Sequence, residues 1–217
     1  SLAPTVSWTP INNGYRTFQY YRVAVDPEPG STKVMGGAQD NGTTRNSGST
    51  GSPFTLIAGG DGVSVGLSKP WVDPFFGDVL TWEYMGSQQG TMLTREQNTT
   101  PGFVFNITPN TASYTGLFVT LFHLDPDSTE NLYYADNNTL YRTGAATGVT
   151  PANWTRITGF DAPVGAANDI TALATSRGNY IPATSSLFAG TSNGKVFRYD
   201  DPINAPPSAA PADISGA

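Results

Sequence analysis

At 217 residues the chain has room for one large domain or two small ones, and 12% aromatic residues is too many for a disordered tract. Eleven basic residues against seventeen acidic ones, with the basic ones scattered, argue against nucleic acid and anionic membranes, since both need a basic patch. The absence of cysteine removes disulfides, thiolate metal sites and cysteine nucleophiles, but it leaves export open.

No apolar run approaches the ~18 residues of a membrane span, so no membrane insertion is expected. Helical periodicity is nearly absent. Short runs of Val, Ile, Leu, Phe, Tyr and Thr alternate with Gly, Asn, Asp and Pro clusters, the pattern of a many-stranded β protein. The chain starts at Ser1 with no signal peptide visible, and it reads as a processed or excised piece.

In chain order, Val6–Gly14 (VSWTPINNG) reads as an isolated outer strand. A first unit, about 15–61, follows: YYRVAV into an Asp-Pro turn, then KVMGGAQD, GTTRNS and FTLIAGGD. The second, about 62–109, contains GVSVGLS, DVLTWEYMGS, GTMLTRE and FVFNITP. The third, about 115–161, repeats the first: TLFHLDP, NLYYADNN, TLYRTG and WTRITGFD. The turn aspartates Asp26 and Asp125 are spaced by twice a unit of about 50 residues, a propeller-blade period. The last unit, about 168–217, starts as DITALATS, SLFAGTSN and GKVFRYDD and runs out in PINAPPSAAPADISGA, so it is expected to be incomplete.

The expected fold is an all-β propeller of four-stranded antiparallel blades, with four blades visible and a longer parent of about six to eight. First strands are expected to be buried on both faces by neighbouring blades, as the run VTLFHL suggests. One aromatic per outer strand (Trp8, Phe54, Phe103, Trp154) is expected to fill the gap at the rim.

AQDNGT, ADNNTL and TSNGKV each join a second to a third strand, and Asn-Gly there is a hairpin signal requiring positive φ. The aspartates can accept hydrogen bonds within these turns. The functional alternative is a carboxylate cluster of Asp40, Asp61 and Asp78 or Glu83 for glycoside hydrolysis, which needs two carboxyl groups about 5 to 10 Å apart. Asp40 and Asp61 are expected at opposite ends of one blade's strands, which weakens that pairing. Calcium on aspartates and carbonyls is conceivable, although no EF-hand spacing is present; otherwise no cofactor or metal is expected. His123, the one histidine, sits in a predicted inner strand and reads as a core or channel-lining residue. Five N-x-[ST] sequons (Asn41, Asn98, Asn106, Asn137, Asn153) are what chance gives in so Asn- and Thr-rich a chain.

The stretch MGGAQDNGTTRNSG…FTLIAGGDGVSVGLS resembles the blade signature of sialidase-like and sortilin-like (BNR-type) propellers in large secreted proteins of Bacteroidetes-type bacteria. That resemblance implies a secreted or cell-surface module, and its group includes sialidases, xyloglucan hydrolases and adhesion modules. No catalytic residue carries over: an arginine triad, a Tyr/Glu pair and complete Asp-boxes are missing. The expectation is therefore a non-catalytic recognition or scaffold module binding glycan or protein through loops, with a glycoside hydrolase fragment as the alternative. Asp40, Asn41, Asp61, Gln88 and Gln89 are the candidate ligand-binding residues. Other segments of a larger parent chain are the further expected partners.

Overall fold

A computed structural model describes residues 9, 18–49, 51–72, 75–77, 79–90, 93–97, 104–113 and 116–216. The expected strand 6–14, apart from Thr9, lies outside them, as do Trp8, Asp78 and Phe103.

The protein is all-β, built on four antiparallel four-stranded sheets. The first comprises β1 (Tyr20–Val25), β2 (Val34–Ala38), β3 (Gly42–Arg45) and β4 (Thr55–Ala58), in chain order. The second begins with β5 (Val65–Leu67), followed by a separate hairpin of β6 (Trp71–Val72) and β7 (Val79–Leu80). It continues with β8 (Trp82–Gly86), β9 (Leu93–Gln97) and β10 (Val104–Asn106). DVLTWEYMGS, which reads as one strand, is therefore split between the inserted hairpin and the sheet. The third sheet is β11 (Leu121–Leu124), β12 (Leu132–Asp136), β13 (Thr139–Thr143) and β14 (Thr155–Arg156). The fourth is β15 (Ile170–Thr175), β16 (Ser186–Thr191), β17 (Val196–Asp200) and β18 (Ala212–Asp213).

The fourth sheet is thus not left at three strands. Its Pro-rich tail returns to pair Ala212 with Arg198 and Asp213 with Phe197. Donors outside the tail hold its carbonyls. Arg142 donates to Pro202 O (2.7 Å) and Ala205 O (2.6 Å), Tyr199 Oη donates to Pro206 O (2.9 Å), and the Gly159 amide donates to Pro207 O (2.8 Å). Proline lacks an N–H but keeps a carbonyl, so such a tail can be ordered by donors from elsewhere.

The Asp-Pro turns of the first and third sheets share a bond from the amide two residues on and differ in the second donor. Asp26 accepts from Glu28 N (3.0 Å) and Ser31 Oγ (2.9 Å), and Asp125 accepts from Asp127 N (2.9 Å) and Ser128 N (3.1 Å). A carboxylate that accepts from the amide two residues on is a local device that Asp favours at that position. Beside the second of these turns, Arg177 Nε (2.7 Å) and the Gly178 amide (2.7 Å) donate to Asp127. The bond from Arg177 is the main reason the Asp127 carboxyl is held down at about 2.

Two apolar cores separate three of the sheets, and strand alternation divides residues between them. Leu132 and Tyr134 of β12 face the core shared with the second sheet, alongside Tyr84, Ile107, Phe122 and Tyr141. Tyr133 and Ala135 face the core shared with the fourth sheet, with Leu140, Phe160, Leu187 and Tyr199. This is the two-residue period of a strand buried on both sides, and each such aromatic contributes about 1.5–3 kcal/mol. The second strands are more enclosed than the first: β12 is buried throughout, and β2 and β8 nearly so, as is the third strand β13. The expectation that first strands would be sealed on both faces is corrected here, since β1 and β15 are largely exposed or half-buried. They border open space instead: β1 lies against β5, β5 against β11, and β11 against β15, around a shared cavity.

Between the first and second sheets the filling is ionic. Glu83, fully buried on β8, meets Lys33 Nζ at 2.6 Å and Arg45 Nη1, both from the first sheet. Glu83 therefore joins two sheets and is not available to a carboxylate pair with Asp40 or Asp61.

Candidate functional site

In an antiparallel meander the second-to-third-strand turn and the exit of the fourth strand lie at the same end. The loop Gly59–Gly62 consequently stands beside the turn Gln39–Asn41, and Asp61 Oδ1 accepts from the Asp40 amide at 2.7 Å. The expectation that Asp40 and Asp61 sit at opposite ends is thus corrected. Their roles differ: the Asp61 carboxylate secures the turn, and Asp40 is exposed on its far side.

Asp40 has φ +59° and Gly42 has φ +69°, so the turn takes the left-handed region that Asp and Gly tolerate. In the third sheet Asn137 has φ +54° but Asn138 is not left-handed. One positive φ suffices there, and the two expected of a type I′ turn are not found. The surrounding glycines serve a crossing of backbones. A methyl group at Gly37 would collide with Val63, one at Gly42 with Ala58 O, and one at Gly62 with Gly42 O.

The same end gathers the other candidates. Gln89, at φ +58°, donates its amide to Phe118 O (3.0 Å), and Gln88 bridges to Val119. In the third sheet the Asn137 carbonyl accepts from Ile170 N (2.8 Å), so turn after turn is tied to the segment entering the next sheet. Asp40, Asn41, Asp61, Gln88 and Gln89 all lie on one face, with Gln88 and Gln89 engaged at the joint between the second and third sheets.

The sequence reading missed three neighbours, Gln19, Tyr21 and Gln39. Tyr21 donates its hydroxyl to Gln39 Oε1 at 2.7 Å, and its ring meets Phe118 edge-on at 6.0 Å. With Gln19, Gln39, Asp40 and Asn41, Tyr21 lines a recess of about 380 Å³. The register shift in β1 between Tyr20 and Arg22 displaces Tyr21 from simple alternation, and periodicity gives no sign of this. The outer-strand aromatics behave unequally. Trp154 is half-buried and donates Nε1–H to Ile107 O at 2.6 Å, bridging two sheets, whereas Phe54 stays exposed.

Among the described residues no group of three or more His, Asp or Glu side chains is placed to hold a metal ion. No protein-family model matches the chain, and no curated protein resembles it.

Proposed function

We propose that this chain is a non-catalytic recognition module of a secreted or cell-surface protein, a propeller or part of one, that binds glycan at its turn face. The observation that carries this reading is the recess where the Tyr21 ring and the amides and carboxylate of Gln19, Gln39, Asp40 and Asn41 converge. Apolar ring faces beside planar hydrogen-bonding groups suit a sugar, which has C–H patches and hydroxyls on the same ring. Asp40 faces outward, but its neighbour Asp61 is engaged with backbone, so the corner offers one free carboxylate where hydrolysis asks for two. The propeller reading is supported by the first strands of successive sheets standing side by side around one cavity. The likeness of QDNGT and GGDG to sialidase-like repeats points the same way.

A glycan array is expected to return a restricted set of binders, with Tyr21→Ala and Asn41→Ala each weakening binding about 10-fold or more, as loss of a stacking platform or a bidentate amide does. Release of reducing sugar, abolished by Asp40→Asn, would replace this reading with the hydrolase. Absence of any binder would remove it.

The outer face of the first sheet bears on partners. Val23, Val25, Phe54 and Leu56 are exposed there, while the fourth sheet turns Arg198 and Asp200 outward. A propeller end that is apolar is expected to be covered by a further sheet or another chain. The isolated chain should self-associate, and Val23→Lys with Leu56→Lys should suppress this in sedimentation velocity. A monomeric isolated chain at high concentration would overturn the expectation.

A further inference from the structure

The cavity bordered by the first strands encloses about 260 Å³ and is distinct from the turn-face recess. Apolar side chains such as Leu67, Phe122, Leu124 and Leu173 line it together with three polar ones. Of these, Ser64 is engaged with Thr120 O, which leaves Arg22 and His123. Arg22 of β1 lines the cavity and makes no ion pair with any described residue. His123 of β11 lines it too, with Nε2 at 3.0 Å from Thr175 Oγ1 and its ring stacked on Tyr133.

We propose that this cavity binds a small organic carboxylate, gripped by the Arg22 guanidinium with the His123 imidazole as a second polar contact. An apolar pocket with a few convergent polar groups is the usual architecture of a small-molecule site. The guanidinium fork matches a planar carboxylate in both geometry and charge. A phosphate dianion fits less well, because the site offers one full positive charge within a protein of net charge −6. The groups that face His123 are Arg22, Asp125 and Tyr133. Burial lowers the imidazole pKa, Asp125 opposes that shift and Arg22 reinforces it, so the ring is neutral when the site is empty at neutral pH. A carboxylate arriving at Arg22 would offset the guanidinium and favour the imidazolium.

The chain's single histidine makes the test direct, because its Cε1–H proton resonance needs no assignment. Glucuronate titrated into the full chain is expected to shift that resonance saturably and to raise the imidazole titration midpoint, while glucose at equal concentration leaves both unchanged. Arg22→Gln should weaken the glucuronate response about 10- to 100-fold, as loss of a charge-assisted hydrogen bond does, and Arg22→Lys should retain part of it. Because Arg22 is exposed, both variants should keep the wild-type methyl spectrum as proof of folding. No saturable shift, an equal shift with glucose, or an undiminished response in folded Arg22→Gln would overturn the site. An equal response to sulfate would overturn its assignment to carboxylates.

Discussion

Replacing Glu83 by alanine is expected to destabilise the protein by about 3–5 kcal/mol, the cost of breaking a buried ion pair from one side. In a chain of this size each kcal/mol lowers the melting temperature by about 2–4 °C. Glu83 is 0% exposed and faces Lys33, itself 5% exposed, so neither charge has bulk water to turn to. Removing the carboxylate would leave two cations, Lys33 and Arg45, against each other in the seam between the first two sheets. One Glu83 oxygen, Oε2, accepts no hydrogen bond, so the cluster is not an ideally satisfied network. The converse therefore follows: Lys33→Met, Glu83→Leu and Arg45→Met together should recover most of the loss, since apolar residues of similar volume replace buried ions at little or no cost. Urea denaturation of the single and triple variants measures both. A loss below about 1 kcal/mol for Glu83→Ala would mean that water reaches this seam.

Gly62→Ala and Gly59→Ala, three positions apart in one AGGDG stretch, should behave oppositely. At Gly62 the added methyl meets the carbonyl of Gly42, a backbone atom that cannot rotate away. The crossing strand or the turn must move, at about 1–3 kcal/mol or more. At Gly59 nothing lies within 4 Å and the backbone is not left-handed, so alanine should be neutral or stabilising by up to about 1 kcal/mol through the unfolded chain. Denaturation midpoints of the two variants decide the matter. Equal effects would show that the close approach of the Gly62 loop to the turn is not what the glycine serves.

This pair of glycines also shows where reading from sequence stops. That the fourth strand ends in a GGD stretch was legible, because glycine and aspartate announce unusual φ locally. Which glycine was indispensable was not, because the obstacle at Gly62 comes from the hairpin at Gly42. The candidate residues follow the same division. Asp40 and Asn41 were legible as turn residues, yet their proximity to Asp61, Tyr21 and Gln19 depends on the meander's geometry and on a register shift in β1. The tail PINAPPSAAPADISGA was expected to leave the last unit incomplete, and it is instead ordered by Arg142 and Gly159, far away in the chain, and by the nearby Tyr199.

By itself, then, the amino-acid order determined the β character, the strand runs and the Asp-Pro and Asn-Gly corners. Each depends on side-chain alternation or on dihedral preferences that act within a few residues. Tertiary structure alone decided that Glu83 meets two cations and that Arg22 and His123 share a cavity. It also decided that the second strands are more enclosed than the first. These are matters of which strands become neighbours, and that choice is made by burial across the whole chain, which no local window contains.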